Sequence, residues 1–86
     1  MKIKEGFILR EVAGQIVVLP TGNQLDLNMM ITLNDTGRFL WEHLQEETTK
    51  EALVEALLAE YDVDAALAGK SVDAFVQKLR DGGLLA

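Results

Sequence analysis

The sequence predicts an α+β fold, a three-stranded antiparallel β-meander followed by three α-helices. Three observations predict it. Two short β-branched and aromatic runs flank a glycine turn, and apolar residues then recur at every second position from Leu25 to Leu33. Beyond Asn34 the apolar spacing changes to three and four, with a cap residue ahead of each helical stretch.

The first two strands are Phe7 to Val12 and Ile16 to Leu19, joined by a turn at Ala13-Gly14-Gln15 in which Gly14 supplies the positive φ. Pro20 ends the second run because it has no N–H to give a ladder. Thr21-Gly22-Asn23 is the next turn. In the third run Leu25, Leu27, Met29, Ile31 and Leu33 alternate with Asp26, Asn28, Met30 and Thr32. A period of two means one buried face and one wet face. As the last strand of a meander, it leaves its outer edge unpaired unless something covers it.

Asn34 caps the first helix, Asp35 adds favourable negative charge to its first turn, and Leu40, Trp41 and Leu44 face the core. The second helix opens with Thr48-Thr49-Lys50-Glu51, read as a capping box between Thr48 and Glu51, and carries the stripe Leu53, Val54, Leu57, Leu58 and Tyr61. Asp64 caps a third helix running to about Asp81, which Gly82 or Gly83 terminates in the left-handed conformation. Its core stripe is Ala65, Ala68, Val72, Phe75, Val76 and Leu79. Leu67, Ser71 and Ala74 widen that stripe on one flank, with Lys78 beside them. An arc this wide fits either routine packing against a neighbouring helix or one wall of a groove.

Composition narrows the function. With 86 residues and 49% hydrophobic residues the chain reads as one domain, residues 1–86, near the small end of what folds alone. It has no cysteine, so neither a disulfide framework nor a thiolate metal site is expected, and the lone His43 has no partners for a zinc site. No apolar run reaches the roughly 18 residues of a membrane span. The N-terminus Met1-Lys2-Ile3-Lys4-Glu5 leads into no signal-peptide core. The absence of cysteine and of a signal both point to the cytoplasm, and the absence of such a run points away from membranes. Fourteen acidic residues against eight Lys and Arg give a net charge of −6, which counts against nucleic acid as a ligand. Catalysis needs a nucleophile with a base, a metal, or a cofactor cradle. Ser71 and His43 lack evident partners, and neither GxGxxG nor GxxxxGK[ST] occurs. The chain therefore reads as a non-enzyme with no catalytic residue, no metal ligand and no cofactor.

One ordered set of segments is more specific. Gly6-Phe7-Ile8-Leu9-Arg10-Glu11-Val12 precedes the hairpin; Leu33-Asn34-Asp35-Thr36-Gly37 and Leu40-Trp41-Glu42 follow it, and Leu79-Arg80-Asp81-Gly82-Gly83-Leu84-Leu85 closes the chain. In that order and spacing they resemble the PqqD family, across essentially the whole length. The resemblance implies a winged-helix-like fold. It also implies a module that binds the leader segment of a ribosomally made precursor peptide and presents it to a modifying enzyme of the radical-SAM type. The peptide would add as a strand to the third strand and pack against the third helix, with backbone hydrogen bonds supplying affinity and side-chain pockets supplying selectivity.

On that reading the groove is lined by Asn28, Met29, Met30 and Ile31 from the third strand, and by Leu67, Ser71, Phe75 and Lys78 from the third helix. Methionine adapts to varied partners, and Lys78 at the rim suits an acidic leader. Two other classes compete. A winged-helix DNA-binding regulator needs a basic recognition helix, whereas the second helix sets Glu51, Glu55 and Glu60 against Lys50. A small oligomerisation domain would pair its free strand edge with its own copy, as a homodimer formed through the edge or by swapping.

Overall fold

The computed structural model describes residues 1–21 and 31–86. Its strands are β1 (Phe7–Val12), β2 (Gln15–Pro20) and β3 (Ile31–Leu33), hydrogen-bonded in the order β1-β2-β3 as one antiparallel sheet. The helices α1 (Asp35–His43), α2 (Lys50–Glu60) and α3 (Ala65–Asp81) follow. This is the α+β architecture expected from the sequence. The expected third strand began at Leu25. Its stretch Leu25 to Met30, with Asn28, Met29 and Met30, lies outside the described residues.

The hairpin sets the parity of the whole sheet. Val12 pairs directly with Gln15, so the loop is two residues long and Gln15 belongs to β2, not to the turn. Ala13 and Gly14 both have positive φ, 52° and 80°, the signature of a type I′ turn, whose twist matches that of the flanking strands. In such a hairpin the pair flanking the loop is hydrogen-bonded, and bonded and open pairs alternate from there. Gln15, Val17 and Leu19 therefore turn their N–H and C=O groups towards β1, while Ile16 and Val18 turn theirs towards β3. The N–H of Thr21 donates to the Gly6 carbonyl at 2.8 Å and continues that parity. Pro20 stands opposite Phe7 at an open pair, so β2 runs through it instead of stopping at Leu19.

The same parity carries across to β3. Leu33 faces Ile16 and Ile31 faces Val18, both as bonded pairs, and Thr32 faces Val17 as an open one. The backbone N–H and C=O of Thr32 thus point away from β2, to the outer edge of the sheet.

The helices begin where short polar side chains accept orphan N–H groups. Asn34 accepts from Gly37 at 2.8 Å and Asp64 from Leu67 at 2.7 Å. The cap of α2 is Thr49, which accepts from Ala52 at 3.2 Å, so the cap falls one residue after the expected Thr48, and Ala52 at the third helical position has no side chain to complete a capping box. Thr48 is occupied elsewhere: its N–H donates to the Met1 carbonyl and its own carbonyl accepts from the Met1 amino group. At the end of α3 Gly83 is the left-handed residue, with φ 74°. Leu84 N–H reaches back to Leu79 and Gly83 N–H to Arg80, the paired bonds of a Schellman motif.

One core joins the layers. Val18 and Leu33 from the sheet pack with Leu40, Trp41 and Leu44 of α1 and its end, Leu53 and Leu57 of α2, and Val72 and Leu79 of α3. Side chains buried this fully contribute about 1.5–3 kcal/mol each. Two residues placed in helical core stripes fall outside it: Leu58 is 39% exposed and Ala65 lies at the surface. The chain ends close the bottom of this core. Ile3 bridges Leu85, Ile3 N–H donates to the Leu44 carbonyl, and Lys4 N–H donates to that of Leu84.

Candidate functional site

A groove of about 570 Å³ runs where β3, the start of α1 and the middle of α3 meet. Its strand wall is Thr32 and Leu33, its floor is Leu40 with Phe75, and its helical wall includes Ser71, Ala74 and Lys78. Each wall follows from local structure. On α3, Ser71, Ala74, Phe75 and Lys78 are spaced three, one and three apart, which puts them on one helical face. At the other side, Asn34 ends β3 and caps α1, so the strand edge continues directly into the helix N-terminus.

Gly37 makes the close approach possible. A Cβ there would stand 3.3 Å from the Phe75 ring and 3.3 Å from the Leu33 Cβ. Phe75 is 8% exposed, so it serves the core and also lines the groove.

The open edge of the sheet borders this groove. Thr32 presents its N–H and C=O there, and its side chain is exposed. Lys78 crosses from α3 and its Nζ donates to the Thr32 carbonyl at 3.1 Å. Among the described residues no carboxylate lies within ion-pair reach of that ammonium, whereas Lys50 is held by Asp73 at 2.7 Å and Arg38 by Glu42 at 3.3 Å.

Of the residues expected to line a groove, the structure brings Ser71, Phe75 and Lys78 together around this one. Ile31 is half-buried and packs on the core beneath the sheet. Leu67 is 51% exposed near the start of α3 and is not among the residues lining the groove. Asn28, Met29 and Met30 lie outside the described residues. Sequence reasoning missed Thr32, Asn34, Thr36 and Gly37 as lining residues, and it assigned Leu33 and Leu40 to the core alone. The legible signal was Gly37: a glycine in the first turn of a helix, where it lowers propensity, implies a close neighbour.

Chemically the site offers an apolar floor, a backbone donor and acceptor at a strand edge, and the exposed Lys78 cation. That set can hold an extended chain; it contains no nucleophile–base pair. His43 packs against Phe39 with ring centroids 4.5 Å apart and the rings tilted by 59°. Among the described residues no three His, Cys, Asp or Glu side chains cluster as metal ligands. Nor is any helix among them long and apolar enough to cross a membrane.

The family model described as coenzyme PQQ synthesis protein D (PqqD) matches residues 7–85. No curated protein sequence matches the chain. Two solved structures are similar over nearly their full length. The first, TbiB1 in complex with the TbiA(beta) leader peptide, has a TM-score of 0.77 and 26% identity, covering 99% of this chain and 94% of the other. The second, lasso peptide synthetase B1 complexed with its leader peptide, has a TM-score of 0.73 and 19% identity, covering 96% and 93%.

Proposed function

This chain belongs to the PqqD family, and from that premise we propose that it is a non-catalytic module that binds the leader segment of a ribosomally made precursor peptide by strand addition. The observation that carries the proposal is the N–H and C=O of Thr32, which face away from the β2 ladder at the mouth of a groove whose other wall is α3. An extended peptide laid between them would pair its backbone with β3 and drop alternate side chains onto Leu40 and Phe75. TbiB1, the neighbour at 26% identity, was solved with a leader peptide bound. The compartment consistent with this role is the cytoplasm, where precursor peptides are made.

The modifying enzyme is the second partner. The family resemblance favours a radical-SAM enzyme, while one structural neighbour belongs to a lasso peptide synthetase. Co-purification with the enzymes encoded beside this gene would decide between them. Duplex DNA is the less favoured ligand, since Lys50 on α2 is neutralised by Asp73 and the net charge is −6. A low-salt mobility shift should leave DNA unshifted.

The direct test is calorimetric titration with the synthetic leader of a short reading frame adjacent to this gene. Ala74 is exposed on the helical wall, so Ala74→Trp should fill the groove without unfolding the protein. Lys78→Glu should weaken an acidic leader mildly, and more at low salt than at high salt. Leader binding indifferent to both variants would place the site elsewhere.

A further inference from the structure

We propose that Lys78 is a detachable latch on the β3 edge, which keeps the edge from pairing with a second copy of this chain until a peptide displaces it. The inference concerns the free protein and deepens the strand-addition reading, on which only its consequence for peptide binding rests.

Three observations support it. Parity from the two-residue hairpin leaves Thr32 as the described β3 residue whose N–H and C=O both face outward. The Thr32 carbonyl is not left to water, because Lys78 Nζ donates to it at 3.1 Å from a helix 46 residues further along. That lysine is otherwise uncommitted among the described residues, although the chain carries 14 acidic residues. An ammonium that spans from α3 to a neutral backbone acceptor stands where the N–H of an incoming strand would stand. Lysines on short edge strands and beside them are a recognised means of blocking edge-to-edge pairing, because the charge must be desolvated or moved before another strand can dock.

The consequence for recognition follows from the same geometry. A peptide strand that takes the Thr32 carbonyl evicts the ammonium, which then lies over the peptide beside the residue facing Thr32. A carboxylate on that peptide residue compensates the eviction, whereas Ile31, Thr32 and Leu33, the described β3 residues of a second copy, carry none. The latch therefore favours a peptide strand with a carboxylate at that position.

Sedimentation velocity over a concentration series tests the latch with no peptide present. The species are the parent, Lys78→Ala, Lys78→Arg, and Lys78→Ala combined with Thr32→Pro, which removes the edge donor. Lys78→Ala should raise the self-association constant at least about tenfold. Lys78→Arg should match the parent, and the added Thr32→Pro should reverse the gain. Since Lys78→Ala makes the net charge more negative, charge alone would act in the opposite direction. Lys78→Ser, which also cannot reach β3, carries the same comparison should the alanine variant fail to fold. An association constant unchanged by removing the lysine, or a gain that Thr32→Pro does not reverse, overturns the latch. Neither outcome depends on leader binding, so failure of the latch and failure of the peptide-binding reading are told apart.

Discussion

Thr32→Pro separates strand addition from every other way of using the groove. Proline deletes the Thr32 N–H, which points to the open edge and takes no part in the β2–β3 ladder. The Thr32 side chain is exposed, and an edge strand with its N–H facing outward is where proline is tolerated. Native stability should therefore change by no more than about 1 kcal/mol. The carbonyl stays in place, so the Lys78 contact survives. In the complex, one backbone hydrogen bond is lost and a peptide carbonyl is left facing a proline ring. Leaving such a partner unsatisfied costs about 1–3 kcal/mol, which is roughly a 5- to 150-fold rise in Kd. Leu33→Pro is the contrast: its N–H bonds to Ile16 and its side chain is buried, so about 3 kcal/mol or more is lost from folding itself. Thermal melts by circular dichroism report folding, and calorimetry with the leader peptide reports binding. A Thr32→Pro protein that melts like the parent and binds the leader as tightly as the parent would refute strand addition at this edge.

Three further outcomes are expected. Trp41 is 4% exposed in the core, so Trp41→Ala should cost about 3–5 kcal/mol and lower Tm by tens of degrees in a domain this small; an unchanged melt with lost leader binding would make Trp41 a contact residue instead. Gly69 lies inside α3 with open space where a Cβ would go, whereas Gly83 holds φ 74°. Gly69→Ala should therefore stabilise by up to about 1 kcal/mol and Gly83→Ala should destabilise by a similar amount, as denaturant midpoints would show. Ala13 adopts φ 52° in the type I′ turn, a conformation that Asn tolerates better, so Ala13→Asn should raise the denaturant midpoint by several tenths of a kcal/mol of stability without changing leader affinity.

What the sequence alone determined was set by neighbours a few residues apart. Asn34 and Asp64 cap their helices because each reaches an N–H three residues on, and a glycine ends α3 because only a residue without Cβ takes φ 74° cheaply. The alternation that ends Ile31-Thr32-Leu33 already put Leu33 inside and Thr32 outside. The errors began where a distant group intervened. Thr48 lost the cap of α2 to Thr49 because Met1, far away in the chain, engages its backbone. Leu58 shares a helical stripe with Leu53 and Leu57, yet periodicity does not say how much of a stripe its neighbours cover, and Leu58 stays 39% exposed. Above all, periodicity sorts side chains between two faces and is silent on which way each N–H points. That direction depends on a loop of two residues rather than three, through a register passed from β1 to β2 to β3. Only the assembled sheet placed the Thr32 carbonyl at the open edge and the Lys78 ammonium against it, because such a contact joins residues that no local rule relates.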